Sequence, residues 1–346
     1  MSALLSTSSD FFGLDIGSSA VRLVQLRGSG ATKSLVKYSY VPLEGNIALS
    51  DSSVDQTKLA EIIKQLVAKT GVTTNNVAVG IPSNRVFTTI ADVEKLPPKE
   101  LTKSIDLQAD SLIPTPIDES KIDWAVIGDS PADKSKQEIL LTSVPNKYIE
   151  NRLEMLEAIG LNVVAFEPDN LALARALSTA DAKTQLILDI GRMSSDLVIM
   201  TSGIPHLTRS IPTGIESIIR STAENMNIDA KQANQLLFKF GMSKDKLEGQ
   251  VLQAVTGAIE QLTSEIEKSI KFFQTRYTGS KIDNLIVSGG AAAIPELPLH
   301  LANKFGVNVE VGNAWRNVAY GQERQNELLS LSSQFGVAVG LAERVT

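Results

Sequence analysis

The sequence predicts an α/β protein of two lobes whose cores are related to each other. The first observation is length: 346 residues exceed what one hydrophobic core comfortably serves, so two domains of ordinary size are expected. The second is an internal repeat. Residues 13–26, GLDIGSSAVRLVQL, align without gaps to residues 187–200, ILDIGRMSSDLVIM. Both read as strand, Asp-Ile-Gly, small polar residues, strand, and they lie about half a chain apart. A third observation, a run of strands and helices between the two copies, adds a small α+β insert.

Taken in order, residues 11–16 read as a strand that turns at 17–19 into a second strand at 21–26, with a third near 35–41. Leu59, Ile62, Ile63, Leu66 and Val67 recur at helical spacing and predict a helix over 55–69, stopped by Gly71. Residues 77–81 form a short buried strand. After Leu96-Pro97-Pro98, residues 99–112 read as a helix with Leu101, Ile105 and Leu112 on one side, ended by Ile113-Pro114-Thr115-Pro116. Strands at 122–127 and 138–144, split by a polar turn, and a helix at 147–158 complete an insert spanning 84–160. A strand at 161–166 and a helix at 168–177 precede the second copy of the repeat. Strands at 185–190, 196–201 and 204–210 follow, then helices near 214–226, 230–240 and 251–277. A strand at 282–288, a helix at 294–305, a strand at 307–311 and small apolar residues at 335–342 close the chain. The first lobe core is therefore 1–83 with 161–182. The second is 183–330 with a helical subdomain at about 226–278, and 331–346 is a terminal connecting helix.

Composition excludes several functions. The chain is 43% hydrophobic and 21% charged, ordinary globular material. A net charge of −6 with no basic block argues against general nucleic-acid binding. There is no cysteine, hence no disulfide, thiol nucleophile or cysteine-ligated metal. His206 and His300 are the two histidines and lie far apart in sequence, which argues against a histidine metal centre or triad. They read as surface or packing residues, and Trp124 and Trp315 as core anchors. The opening MSALLSTSSD does not read as a signal peptide, no stretch is apolar enough to span a bilayer, and the last residues carry no basic amphipathic helix.

The repeated segment carries the chemistry. A glycine after an acidic residue lets the backbone turn tightly and approach a ligand. The hydroxyls of Ser18 and Ser19 in one copy, and of Ser194 and Ser195 in the other, suit phosphate oxygens, and Arg22 adds positive charge. Asp15 and Asp189 suit Mg²⁺ held through water. The bland alternative is a glycine-containing strand turn, with Asp189 capping it. Gly289 and Gly290, after a strand, are places where backbone can lie against a nucleoside. Gly214 and Glu216 open a helix whose free N–H groups favour a polar ligand edge. Glu167 is placed to orient an attacking water, or else to stabilise the helix that follows it. Neither G-x-x-x-x-G-K-[ST] nor G-x-G-x-x-G occurs.

These segments, over essentially the whole chain, resemble the actin-like ATPase superfamily and within it the PilM family, with FtsA a well-known relative. FFGLDIGSSAVRLVQL resembles the opening phosphate loop, and LILDIGRMSSDLVIM the second. VEKLPPKELTKSIDLQADSLIPTPIDESKIDWAVIG resembles the family's most distinctive stretch. GLNVVAFEPDNLALARAL and FGVAVGLA resemble its two connecting segments, and IVSGGAAAIPEL its adenosine segment. The resemblance implies duplicated ribonuclease-H-like cores and an insert placed differently from actin's. It implies phosphate contacts at Asp15, Gly17, Ser18, Ser19 and Arg22 (lysine is commoner there) and at Asp189, Gly191 and Ser195. Gly214, Glu216, Gly289 and Gly290 would surround the nucleoside, Asp15 and Asp189 would serve the metal, and Glu167 would lie near the terminal phosphate. The implied cofactors are ATP and Mg²⁺. Two stretches depart from the pattern: Ala233-Asn234-Gln235-Leu236-Leu237 lacks the usual acidic and basic pair, and Arg192-Met193 is bulkier than usual.

The function so implied is an ATP-binding adaptor of the type IV pilus assembly platform. It would be cytoplasmic, attached peripherally to the inner membrane by the N-terminal tail of a PilN-like protein received in a groove between the insert and the core lobe. Pilus motor ATPases and self-association are further implied partners. The alternatives are a small-molecule kinase, for which no acceptor-side constellation is visible, and an FtsA-like filament protein, for which a terminal membrane helix is missing.

Overall fold

A computed structural model describes residues 10–28, 30–179 and 182–345. Apart from Asp10, the opening segment read above for a leader lies outside the described residues. The chain runs β1 (Phe12–Ile16), β2 (Ala20–Arg27), β3 (Lys33–Pro42), α1 (Ser53–Thr70), β4 (Asn76–Ile81) and β5 (Phe87–Glu94). It continues through α2 (Pro98–Leu112), β6 (Ser120–Asp129), β7 (Lys136–Pro145), α3 (Asn146–Glu157), β8 (Asn162–Pro168) and α4 (Asp169–Leu177). The second half comprises β9 (Thr184–Ile190), β10 (Ser195–Thr201), β11 (Ile204–Ile211), α5 (Ile215–Met226), α6 (Ala230–Phe240) and α7 (Gln250–Arg276). Then come β12 (Asn284–Ser288), α8 (Leu297–Phe305), β13 (Asn308–Val311), β14 (Val318–Ala319), α9 (Gln325–Leu331) and α10 (Gly336–Ala342).

Two compact units result: residues 1–82, 150–176 and 313–346, and residues 83–149 and 177–312. In the first, a sheet runs β14-β3-β2-β1-β4-β8; in the second, β11-β10-β9-β12-β13. Each contains an antiparallel β1–β2–β3 or β9–β10–β11 meander followed by two parallel strands. The five-stranded core is thus built twice with one topology. This is the duplication that the repeated sequence predicts, and it makes the chain an α/β protein of the actin-like fold.

In the first unit, β1 is buried on both faces, with Phe12 and Leu14 against Leu59, Ile63 and Leu66 of α1. Helix α1 starts where Ser52 accepts the Asp55 N–H at 3.2 Å and stops at Gly71, whose φ of 65° is left-handed. Trp315 is a core anchor there: its ring meets Tyr38 and Phe335 with centroids 5.8 and 5.4 Å away, and its Nε1–H donates to the Leu328 carbonyl at 2.8 Å. Burial, with Glu327 beside it, pushes the Tyr38 phenol up to about 12.

The terminal helix α10 depends on missing side chains. A Cβ at Gly340 would run into the Ala172 carbonyl of α4, and one at Gly13 into the Ala338 carbonyl. Small residues therefore let α10 lie directly on β1 and α4. Lys33 closes its far end, donating from Nζ to the carbonyls of Ala342, Glu343 and Arg344 at 3.3, 3.0 and 3.2 Å.

In the second unit, α7 packs Val255, Ile259, Leu262, Ile266 and Phe273 onto the buried strands of the sheet. A separate three-stranded sheet, β5-β7-β6, carries α2 through Leu101 and Ile105, and Trp124 packs partly buried against it. Strand β5 is absent from the sequence reading, as is α9. Residues 83–149 gather with the second unit, while 150–160 and 313–330 gather with the first. One physical reason is Arg276 of α7, which donates from Nε to the buried Glu138 at 2.7 Å and from Nη2 to Asp92 at 2.8 Å. Tyr277 donates to the same Glu138 carboxylate at 3.1 and 3.0 Å.

Gly340→Ala is expected to destabilise the protein by about 1–3 kcal/mol or more, because backbone cannot step aside as a side-chain tip can. A lower melting temperature would show it, with Val339→Ala as the cavity-forming comparison; an unchanged midpoint would contradict the close crossing.

Candidate functional site

The two copies of the repeat form equivalent turns. In the first, Gly17 N–H donates to the Ala20 carbonyl at 3.1 Å; in the second, Gly191 N–H donates to Ser194 at 2.9 Å. The turns fix the same register. Asp15 stands opposite Arg22, and Asp189 stands opposite Asp196.

The first loop holds a cation at its base. Arg22 Nη1 donates to Asp15 Oδ2 at 3.3 Å with both side chains buried, and Nη2 reaches Ser19 Oγ at 3.5 Å. Arg22 Nε is buried and has no partner. Burial pushes the Asp15 carboxyl up, and the neighbouring guanidinium opposes that rise. Ser18 and Ser19 sit on the turn, the first partly buried and the second exposed. A fixed guanidinium with an unmet donor, two hydroxyls and a glycine turn form a donor set suited to phosphate oxygens.

The second loop is closed on itself. Ser195 is fully buried and its hydroxyl donates to the Thr213 carbonyl at 2.6 Å. The first N–H groups of α5, at Ile215 and Glu216, donate to the carbonyls of Gly191 and Arg192 at 2.9 and 3.0 Å. Gly214 is pressed so close to those carbonyls that a Cβ would clash at 2.6–2.7 Å. Glu216 pairs with Arg192 at 3.4 Å. Gly289, with φ of 83°, lies against the Ile190 carbonyl, and Ser288 pairs in register with Asp189. The structure thus brings Asp189, Gly191, Ser195, Gly214, Glu216, Gly289 and Gly290 around one loop. It also uses the Ser195 hydroxyl and the α5 N–H groups for internal bonds.

Glu167 is the last residue but one of β8 and is buried. Its carboxylate is clasped by the Arg175 guanidinium, and Arg344 Nη1 lies 3.3 Å away. Arg175 also donates to the Gly340 carbonyl at 2.7 Å, so Glu167 fastens α4 to α10. His206 lies edge-on to Tyr277 with ring centroids 4.9 Å apart, and half-burial lowers His300. Among the described residues, no group of three or more Asp, Glu or His gathers to hold a metal. A divalent cation here would therefore depend on ligand phosphates as well as a carboxylate, the usual Mg²⁺ arrangement. Again among the described residues, no helix is long and apolar enough to cross a membrane.

Asp196 is the residue that sequence reasoning missed. It occupies the position of Arg22 in the gapless alignment, so the signal was present. Its Oδ1 is buried, and the hydroxyls of Ser210 and Ser83 face the carboxyl. The hydroxyls of Ser210 and Ser83 favour the charged form but do not offset burial, which pushes Asp196 up to about 6.

A family model described as "Type IV pilus assembly protein PilM" matches residues 13–346. A solved PilM–PilN type IV pilus biogenesis complex contains a chain 25% identical to this one. That match covers 97% of this chain and 98% of the other at a TM-score of 0.82. Ethanolamine utilization protein EutJ from Carboxydothermus hydrogenoformans is 16% identical, over 96% and 88% of the two chains, with a TM-score of 0.58. The structure of MreB5 of Spiroplasma citri bound to ADP is 14% identical, over 95% and 94%, with a TM-score of 0.52. The last two share the fold. The family assignment is consistent with nucleotide binding.

Asp196 has a definite pH signature. Its folded value of about 6 exceeds the ordinary 3.8, so its contribution to stability is complete below about pH 4 and is lost as pH rises through 6. Asp196→Asn removes that loss. The advantage of the variant over the parent protein is expected to grow by up to about 2 kcal/mol between pH 4.5 and pH 7.5. Melting temperatures of both proteins across that range test this; a pH-independent difference would contradict the buried, raised carboxyl.

Proposed function

The chain belongs to the PilM family of type IV pilus assembly proteins, and from that premise we propose that it is a cytoplasmic ATP-binding adaptor. Its place is the inner face of the inner membrane, where the cytoplasmic tail of a PilN-like protein holds it. The observation that carries this reading is the match to a chain of a PilM–PilN complex, end to end over 97% of this chain. An adaptor recruited by a partner's tail needs no membrane segment of its own.

Nucleotide enters the proposal through the first loop. Arg22, with its unmet Nε, and the hydroxyls of Ser18 and Ser19 would hold phosphate, with Asp15 anchoring the guanidinium. Gly17 and Gly191 would give the backbone its close approach. Mg²⁺ would rest on phosphate oxygens and water, with Asp15 or Asp189 as the carboxylate. Gly214, Glu216, Gly289 and Gly290 would border the nucleoside. We assign Ser195 and Glu167 to the scaffold, because the Ser195 hydroxyl and the Glu167 carboxylate are both occupied. The nucleotide then acts on the tail only by binding one tail-binding state more tightly than another, and the coupling is reciprocal.

Calorimetric titration tests the nucleotide. ATP–Mg²⁺ is expected to bind saturably, and Arg22→Ala to weaken it by roughly tenfold or more, the loss of a charge-assisted contact. No binding at millimolar ATP would remove the nucleotide from the proposal. A synthetic peptide of the PilN-like tail, followed by fluorescence anisotropy, tests the partner. Saturable binding that shifts by roughly fivefold or more with ATP–Mg²⁺ is expected. Absence of any binding would end the adaptor reading.

A further inference from the structure

The second unit contains a cavity of about 500 Å³ that no residue of the candidate site lines. Sites for small molecules commonly measure about 300–1,000 Å³, so the space suits a ligand of that kind. Its walls are β5 and β7 on one side and β11 and α7 on the other. Strands β5 and β11 lie close beside each other, which leaves no room for a further strand between them. What enters the cavity is therefore a small molecule that meets side chains.

Helix α7 gives the cavity its length. Lys268, Phe272 and Arg276 recur at a spacing of four on one face, which places Lys268 and Arg276 about 12 Å apart along the helix axis. Between these ends the wall is apolar. Leu140 and Phe273 are buried, Ile90 and Leu207 join them, and Phe272 stands at the edge with 66% of its surface in water. An apolar tail laid along this stretch would cover that ring and leave water itself.

The two ends differ in charge. Among the described residues that line the cavity none is acidic. At one end Arg209 and Lys268 share a single carboxylate, Glu265, at 2.6 Å each, so one positive charge is in excess. At the other end Arg276 meets two carboxylates, Glu138 and Asp92, so the excess there is negative. An anionic head group therefore belongs at Arg209 and Lys268, and the tail points toward Arg276. One excess cation calls for one negative charge, and a guanidinium beside an ammonium suits a carboxylate. The several phosphate charges of a nucleotide would go uncompensated.

We propose that this cavity binds a medium-chain monocarboxylate. Its carboxylate sits between Arg209 and Lys268, and its tail lies along α7 against Leu140, Phe272 and Phe273. The ligand touches residues 83–149 and α7 at once, beside the Arg276 contacts that join them. The proposal goes beyond the adaptor reading and does not rest on it, since every lining residue lies outside the phosphate loops.

Calorimetric titration of decanoate, below its micellar range, into the full-length protein tests this. Saturable one-to-one binding is expected, with affinity rising about fourfold for each methylene added between hexanoate and decanoate. Decylamine, the same tail with a positive head, is expected to bind at least tenfold more weakly. Lys268→Glu reverses the excess charge and is expected to weaken decanoate at least tenfold, and Phe272→Ala to weaken it several-fold. Both substituted side chains are exposed, and melting temperature serves as their folding control. A diazirine analogue of decanoate, irradiated in the complex, is expected to label residues 88–90, 206–209 or 268–277. The proposal is overturned if decanoate does not saturate, if acid and amine bind alike, if neither substitution matters, or if the label falls elsewhere. It is also overturned if phosphatidylglycerol vesicles bind through Lys268 while decanoate does not, which would make this face a lipid-surface contact.

Discussion

The constraint on which the molecule rests is the register of one hairpin, used twice. In each core a single backbone bond across the glycine turn, from Gly17 to Ala20 and from Gly191 to Ser194, fixes which residues of the two strands stand opposite. A one-residue slip would exchange the two buried faces and bring Arg22 to the place of Leu23, or Asp196 to that of Leu197. The apolar pattern and the turn therefore enforce each other. The parallel strands that follow are added to a hairpin already set, which is why the two sheets reach the same order from sequences that share little beyond the loop.

The same register has opposite electrostatic results. In the first core it places Arg22 across from Asp15, and two buried charges compensate one another. In the second it places Asp196 across from Asp189, and the buried carboxyl takes up a proton more readily instead. The loops diverge in their hydrogen bonding too. The first keeps a buried guanidinium nitrogen unmet, whereas the second uses its carbonyls to hold α5 and the Ser195 hydroxyl to hold Thr213. Backbone duplication thus preserves geometry while side-chain divergence decides what each copy can bind. One copy keeps a buried donor unmet, and the other chiefly supports its own helix.

Much of the fold was legible in the sequence because its signals are local. Helix α1 shows five apolar residues at helical spacing before a glycine, and the hairpins show their turns. The two loops were legible because repetition removes coincidence. Strand β5 was not: in FTTIADVE, threonines and an aspartate interrupt the apolar alternation, and the strand exists because β7 pairs with it over its whole length. The roles of Ser195 and Glu167 were not legible either. Their types and positions suit a ligand, and only the Thr213 carbonyl, Arg175 and Arg344, remote or unremarkable in sequence, show that these groups are engaged. The apposition of β5, β7 and α7 depends on Arg276 reaching Asp92 and Glu138, each more than a hundred residues before it, and no local pattern announces it.

Helix α10 shows how far such long-range terms reach. Seven residues, GVAVGLA, make too short a helix to persist alone in water, since nucleation outweighs so few hydrogen bonds. Its order comes from outside: Gly13 and Gly340 permit backbone contact with β1 and α4, Arg175 holds the Gly340 carbonyl, and Lys33 takes up three carbonyls at the end. The Arg175 that holds α10 is also the partner of Glu167 on β8. A single buried carboxylate at a strand end therefore links a helix that follows it directly to one at the far terminus of the chain. In such an arrangement the glycines set how near the elements come and the ion pairs set where they stop, so α4, α10 and β8 are placed by one shared cluster of contacts.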